Sequence, residues 1–192
     1  MIRIAVIGDI GSGKSYVAKQ FGYPVFNADN EVARLYKKSK KCYNNLKKIL
    51  PKYIFSFPID KSEISKAIIA DQNNIKKISR AIHPEVRFSM NIFLKKNKRK
   101  KFIILDIPLL LENKINNEND FLVFIDAKKN QINKRLNKRP GFNKEIIDKF
   151  KKIQLPLEIK KKKSNFIIKN NFKHNSIKKN AKSILEIISK NA

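Results

Sequence analysis

The chain has 192 residues, a single cysteine, 42% hydrophobic residues and a formal net charge of +28. This length suits one domain with a modest insertion, and a lone Cys42 excludes an internal disulfide. No run of about 18 apolar residues exists to span a membrane, and the first residues lack the basic, apolar and small-residue order of a signal peptide, so a cytoplasmic protein is expected.

In chain order, Arg3–Gly8 is a short β-branched run of the kind a buried parallel strand needs. A helix is predicted over Lys14–Phe21, with Val17 and Phe21 four apart, and a second strand over Tyr23–Asp29. From Asn30 to about Lys100 the pattern is helical and polar. Within it, Asp60 and Glu63 resemble a capping box, and Pro84 is expected in the first turn of a helix. Strands follow over Lys101–Asp106 and Asp120–Ala127, then helices over Lys129–Arg139 and Asn143–Gln154. A fifth strand, Asn165–Asn171, precedes a closing helix over Ser176–Ser189. Strands alternating with helices imply an α/β domain whose five-stranded parallel sheet is flanked by helices. The roughly 70 residues between the second and third strands exceed a simple crossover and are expected to form a helical insertion, about 30–100.

"GDIGSGKS" (Gly8–Ser15) fits the phosphate-loop spacing G-x-x-x-x-G-K-[ST], after a strand and at the start of a helix. Glycines let successive N–H groups turn toward phosphate oxygens, and the helix N-terminus adds partial positive charge. Lys14 would reach the β- and γ-phosphates and the Ser15 hydroxyl would ligate Mg²⁺. The motif alone indicates a nucleoside triphosphate, without choosing between kinase, hydrolase and motor. A kinase also needs an acid to receive the acceptor's proton. Candidates at strand C-terminal ends are Asp29, Asp106 (with Glu112 six residues on) and, more weakly, Asp126. Asp29 is best placed, with a plain helix N-cap as the competing explanation.

The ordered set "GDIGSGKS", "NAD" (Asn27–Asp29), His83-Pro84 with Arg87, "PLLLE" (Pro108–Glu112), "QINKRLNKR", Gln154 and "SNFIIKN" (Ser164–Asn170) resembles the dephospho-CoA kinase family. The resemblance implies a P-loop kinase fold with a core of 1–29, 101–136 and 164–192 and a lid of about 137–163. It implies ATP-dependent phosphorylation of the 3′-hydroxyl of dephospho-CoA, the last step of CoA synthesis. By the same resemblance, Gly11, Ser12, Gly13, Lys14, Ser15 and Tyr16 bind ATP, and Ser15 holds Mg²⁺. Asp29 is the general base, Arg139 a lid cation on the transferring phosphoryl, and Asp29, His83, Arg87 and Glu112 face dephospho-CoA. The chain departs from the family pattern at Asp9, where glycine is usual, at Asn27, where the first acid of "DAD" stands, at Tyr16 and at Ser164-Asn165.

Blander readings stand beside these. His83-Pro84 could start a helix, Arg139 could be one more solvated cation, and Glu112 could sit free in solvent. The 44 basic residues against 16 acidic ones fit either a polyanion partner or compositional bias, since Lys, Asn and Ile share A/T-rich codons. Two rival functions follow: another P-loop kinase with a different acceptor, or a nucleic-acid binder that uses ATP as a switch. No specific nucleic acid and no membrane partner are expected, and a monomer or weak homo-oligomer is.

Overall fold

The computed structural model describes residues 1–191. Its elements run β1 (Ile2–Gly8), α1 (Lys14–Gln20), β2 (Val25–Asn27), α2 (Ala28–Lys38), α3 (Lys40–Ile49), α4 (Lys61–Ala70) and α5 (Asn73–Lys96). They continue with β3 (Phe102–Asp106), β4 (Phe121–Asp126), α6 (Lys129–Asn137), α7 (Lys144–Ile153), α8 (Leu157–Lys162), β5 (Phe166–Lys169) and α9 (His174–Asn191). The chain divides into two compact units. One holds Met1–Asn27, Asn97–Phe142 and Ile153–Ala192; the other holds Ala28–Lys96 and Asn143–Lys152.

The first unit is built on a five-stranded parallel sheet in the order β2-β3-β1-β4-β5. The five-stranded α/β fold expected from the sequence is therefore the fold observed. Strand β1 lies in the middle, with Ile4 opposite Ile104 of β3 and Phe121 of β4. Parallel strands covered on both faces read as unbroken apolar runs, as "FIILD" does: all five of its residues are buried. On one face Ile4, Val6, Ile104, Val123 and Ile168 pack with Val17 of α1, Phe21 just after it, and Ile177, Ile184 and Ile188 of α9. The other face carries Ala5, Ile7, Ile103 and Leu105, also buried. Strand ends differ from the sequence reading where the flanking helices win. Strand β2 is only Val25–Asn27, and Asp29, expected to end it, sits in the first turn of α2. It is thus neither strand terminus nor N-cap, although a carboxylate there still complements the helix dipole.

The second unit is helical. Helix α5, 24 residues long, is its spine, and α2, α3 and α4 pack on it. Its buried Ile75, Ile78, Ile82 and Met90 recur at helical spacing. Pro84 lies inside α5, eleven residues past its start, and not in a first turn. It has no N–H to give the Arg80 carbonyl, yet the buried residues on either side hold the helix together, so packing overrides local propensity. Extended Asp71 ends α4, and its carboxylate accepts the Asn73 N–H at 2.8 Å, at the start of α5. Asp60 caps α4 as expected, accepting from Ser62 N–H. Glu63 instead reaches back to the N–H groups of Phe55 and Ser56, pinning the loop before the helix. Among the described residues, no helix is long and apolar enough to cross a membrane.

Candidate active site

The loop after β1 has the backbone its glycines permit. Gly11 (φ 84°) and Gly13 (φ 91°) have the positive φ that residues carrying a Cβ adopt only at a cost. Space is also closed to a side chain. A Cβ on Gly13 would lie 2.5 Å from Asn170 Nδ2, and one on Gly11 would lie 2.9 Å from Ile132 and Leu136 of α6. Gly13 is the N-cap of α1, with no capping side-chain hydrogen bond and no acid in that first turn, and the positive end of a helix suits an anionic ligand.

Lys14 Nζ folds back on the loop, donating to the carbonyls of Asp9 (2.8 Å) and Gly8 (3.3 Å). The Asp9 carboxylate accepts the Ile10 N–H at 2.7 Å. This anion, unusual for the motif, is thus engaged by the loop's own backbone. Ser12 is fully buried. Its carbonyl accepts from Asn170 Nδ2 at 2.8 Å, while Asn170 Oδ1 accepts the Phe172 N–H. The Arg135 guanidinium stacks 4.4 Å from the centre of the Phe172 ring. Gln154 Nε2 donates to the Gly8 carbonyl at 3.1 Å. Ser15, at the start of α1, is exposed.

The acids at the strand ends divide by environment. Asp106 is buried at the end of β3 and accepts from the amide of Asn27, its partner in the sheet register. An amide suits that place better than a second carboxylate, because it can donate. Asp126 ends β4, directly beside β1, and faces Lys161 at 3.6 Å. Glu112, which the resemblance assigns to the acceptor, is engaged within the protein in this structure. Its Oε1 accepts from Lys160 Nζ (2.6 Å) and Leu155 N–H (2.9 Å), and its side chain is only 9% exposed. The reading of Glu112 as solvent-exposed is thereby excluded. Arg139 is exposed, two residues past α6, and its carbonyl accepts the Phe142 N–H.

In the helical unit, Asp29 is exposed. His83 and Arg87 are four apart on α5, and so share a face. His83 is half-buried; burial first, and the Arg87 charge second, hold its pKa below the usual imidazole value. Arg34 forms a forked pair with Glu31, and that bond is the main cause of the lowered Glu31 pKa.

The family profile described as dephospho-CoA kinase matches residues 2–176. The chain belongs to the dephospho-CoA kinase family. A relative of that name from Wolbachia pipientis wMel is 34% identical over 193 residues, covering 98% of each chain. One from Bartonella quintana is 30% identical over the same length, again with 98% coverage of each. Among solved structures, TT1252 from Thermus thermophilus superposes with a TM-score of 0.75 at 26% identity over 96% of each chain. The dephospho-CoA kinase from Campylobacter jejuni, at 20% identity, shares the fold, with a TM-score of 0.61 over 97% of this chain and 96% of its own.

The family match spans the loop and all of the candidate residues, but the sequence reading left several contacts unassigned. Asn170 and Gln154 lay within the quoted motifs without roles, and the structure brings both onto the phosphate loop. Their only signal was an amide just past the end of a strand or a helix. Lys160 was hidden in a run of four lysines; only burial separates it from its neighbours.

Proposed function

We propose that this chain phosphorylates the ribose 3′-hydroxyl of dephospho-CoA with ATP, giving CoA and ADP, and that it does so with the residues of its phosphate loop and first helical turns. The family match across residues 2–176 carries this reading. The loop Gly11–Tyr16 receives the triphosphate, and Lys14 leaves the Gly8 and Asp9 carbonyls for the β- and γ-phosphates. Both are charge-assisted contacts, stronger than those to neutral carbonyls. Mg²⁺ takes most of its ligands from phosphate and water, so one exposed hydroxyl, Ser15, is a fitting protein donor, and the ion would neutralise charge on the transferring group.

Asp29 is the proposed base. As the 3′-oxygen bonds to the γ-phosphorus and the bond to the β–γ bridging oxygen breaks, the hydroxyl proton passes to the Asp29 carboxylate. It stands exposed in the first turn of α2, where a hydroxyl can approach it. Arg139 supplies a planar cation for the phosphoryl oxygens, and Arg87 a second one for the acceptor's diphosphate, with neutral His83 as a hydrogen-bonding partner. Residues 30–100 hold the acceptor and 137–163 form the lid. One buried cysteine, its thiol pushed up to about 11 by burial, suits a reducing cytoplasm, where we place the enzyme.

A coupled ADP-release assay tests the reading by offering dephospho-CoA, AMP, CMP and UMP in turn. Turnover with dephospho-CoA alone is expected. Turnover of a nucleoside monophosphate without dephospho-CoA would transfer the chain to another acceptor class. Lys14→Ala should abolish turnover while the far-UV spectrum and melting behaviour persist.

A further inference from the structure

We infer that Gln154 is a positioning residue for the phosphate loop, held on the Gly8 carbonyl by the buried Glu112–Lys160 pair. The inference rests on the kinase reading and deepens it. Gly8 is where β1 becomes the loop. A Cβ there would lie 2.7 Å from the Ile125 carbonyl of β4, so the backbones are packed without slack and the direction of the Gly8 carbonyl sets how the loop leaves the sheet. That carbonyl accepts from two side chains, Lys14 and Gln154. Lys14 is the one that must leave when phosphate arrives. Gln154 is the donor that stays, keeping a polar group satisfied and the loop's entry fixed.

Gln154 stands in a short connection between α7 and α8 that has little of its own to hold it. Helix α8 has six residues, too few to be stable without tertiary anchoring. The anchor is Glu112. One of its oxygens receives both the Leu155 N–H, next to Gln154, and the Lys160 ammonium from α8. The two side chains are only 4% and 9% exposed. A pair so buried is unlike a surface ion pair: losing one partner strands the other charge. Helix α8 also packs on β1, the strand that Gly8 ends. The second Glu112 oxygen is buried and has no hydrogen-bond partner among the described residues, so the carboxylate depends on this one arrangement. Glu112 and Lys160 thus act on nucleotide through Gln154 and touch none themselves.

The test is ADP affinity by titration calorimetry without any acceptor, on Gln154→Ala, Gln154→Met, Glu112→Gln and Glu112→Gln/Gln154→Ala. Each Gln154 variant should weaken ADP binding roughly five- to tenfold, the equivalent of one hydrogen bond, and Met, with the length but no N–H, should do no better than Ala. Because the residues act in series, the double variant should bind ADP no worse than the weaker single. Unchanged affinity in Gln154→Ala, full recovery in Gln154→Met, or losses that multiply in the double variant would each overturn the inference. Should the Glu112 variants not fold, the two Gln154 variants decide. Wild type that binds ADP but transfers nothing to dephospho-CoA would sink the kinase reading and leave this inference standing.

Discussion

Gly13 and Gly22 share a left-handed backbone but meet opposite surroundings. A Cβ on Gly13 collides with Asn170, whereas one on Gly22 meets nothing within 4 Å. Gly22→Ala should therefore cost only backbone strain, about 1–2 kcal/mol in a urea melt, with turnover unchanged. Gly13→Ala carries the same strain and must also displace the Asn170 amide from the Ser12 carbonyl. A shift of that kind in a phosphate cradle should lower kcat by about 10²-fold or more. Equal turnover in the two variants would show that the loop tolerates the displacement. Asp29→Asn is the complementary test. It keeps shape and exposure but cannot take a proton, so kcat should fall by about 10²-fold with stability nearly constant. A change in stability alone would leave Asp29 as a partner of the helix dipole. The glycines and Lys14 were legible in the sequence because a phosphate cradle is local, with all its parts inside eight residues. Asn170 and Gln154 were not, because they reach the loop across 158 and 146 residues, and no periodicity records a contact of that span.

Elements were legible where burial imposes a period. The strands were found because a parallel sheet covered on both faces needs unbroken apolar runs; their ends were misplaced where a helix follows at once, as at Ala28 and Asp29. Helix α5 was misread at Pro84, since a proline's local rule predicts a boundary and only the stripe of Ile75, Ile78, Ile82 and Met90 shows the helix passing through it. With the helix-start explanation gone, Pro84 is an exposed proline in a helix interior. Pro84→Ala restores an N–H for the Arg80 carbonyl and should raise stability by roughly 1–3 kcal/mol. A loss would mean that the ring itself packs. The neighbouring His83 gives α5 a pH signature. Its folded pKa lies below 6.5, lowered mainly by burial and then by Arg87. Below 6.5 the unfolded chain takes up a proton that the folded chain resists. Stability is therefore full above that pH and is lost as pH falls toward the folded pKa. Urea melts between pH 8 and 5 should show that slope, and His83→Gln should remove its share. A variant slope identical to wild type would assign the acid sensitivity to other groups.

Charge belongs to the whole molecule, and here 44 basic residues face 16 acidic ones. The lysines are not gathered on one element. Exposed ones occur on α3, α5, α6, α8 and α9 and in the segment 98–101. Both substrates are polyanions, however, and a broadly positive surface speeds the encounter with anions whether or not any lysine touches them. Such steering acts on approach and is screened over about 10 Å at 0.1 M salt. It predicts that kcat/KM for ATP and for dephospho-CoA falls severalfold as salt rises from about 25 to about 300 mM, with kcat at saturation nearly constant. A nucleic-acid partner predicts something else, binding of duplex or single strands that survives at physiological salt with a steep linear dependence on log salt. Measuring both on one preparation separates them. Salt-sensitive kcat/KM with DNA and RNA binding lost near 150 mM assigns the charge to substrate capture on a lysine-rich background. Retained nucleic-acid binding together with a salt-independent kcat/KM assigns it to a polyanion partner.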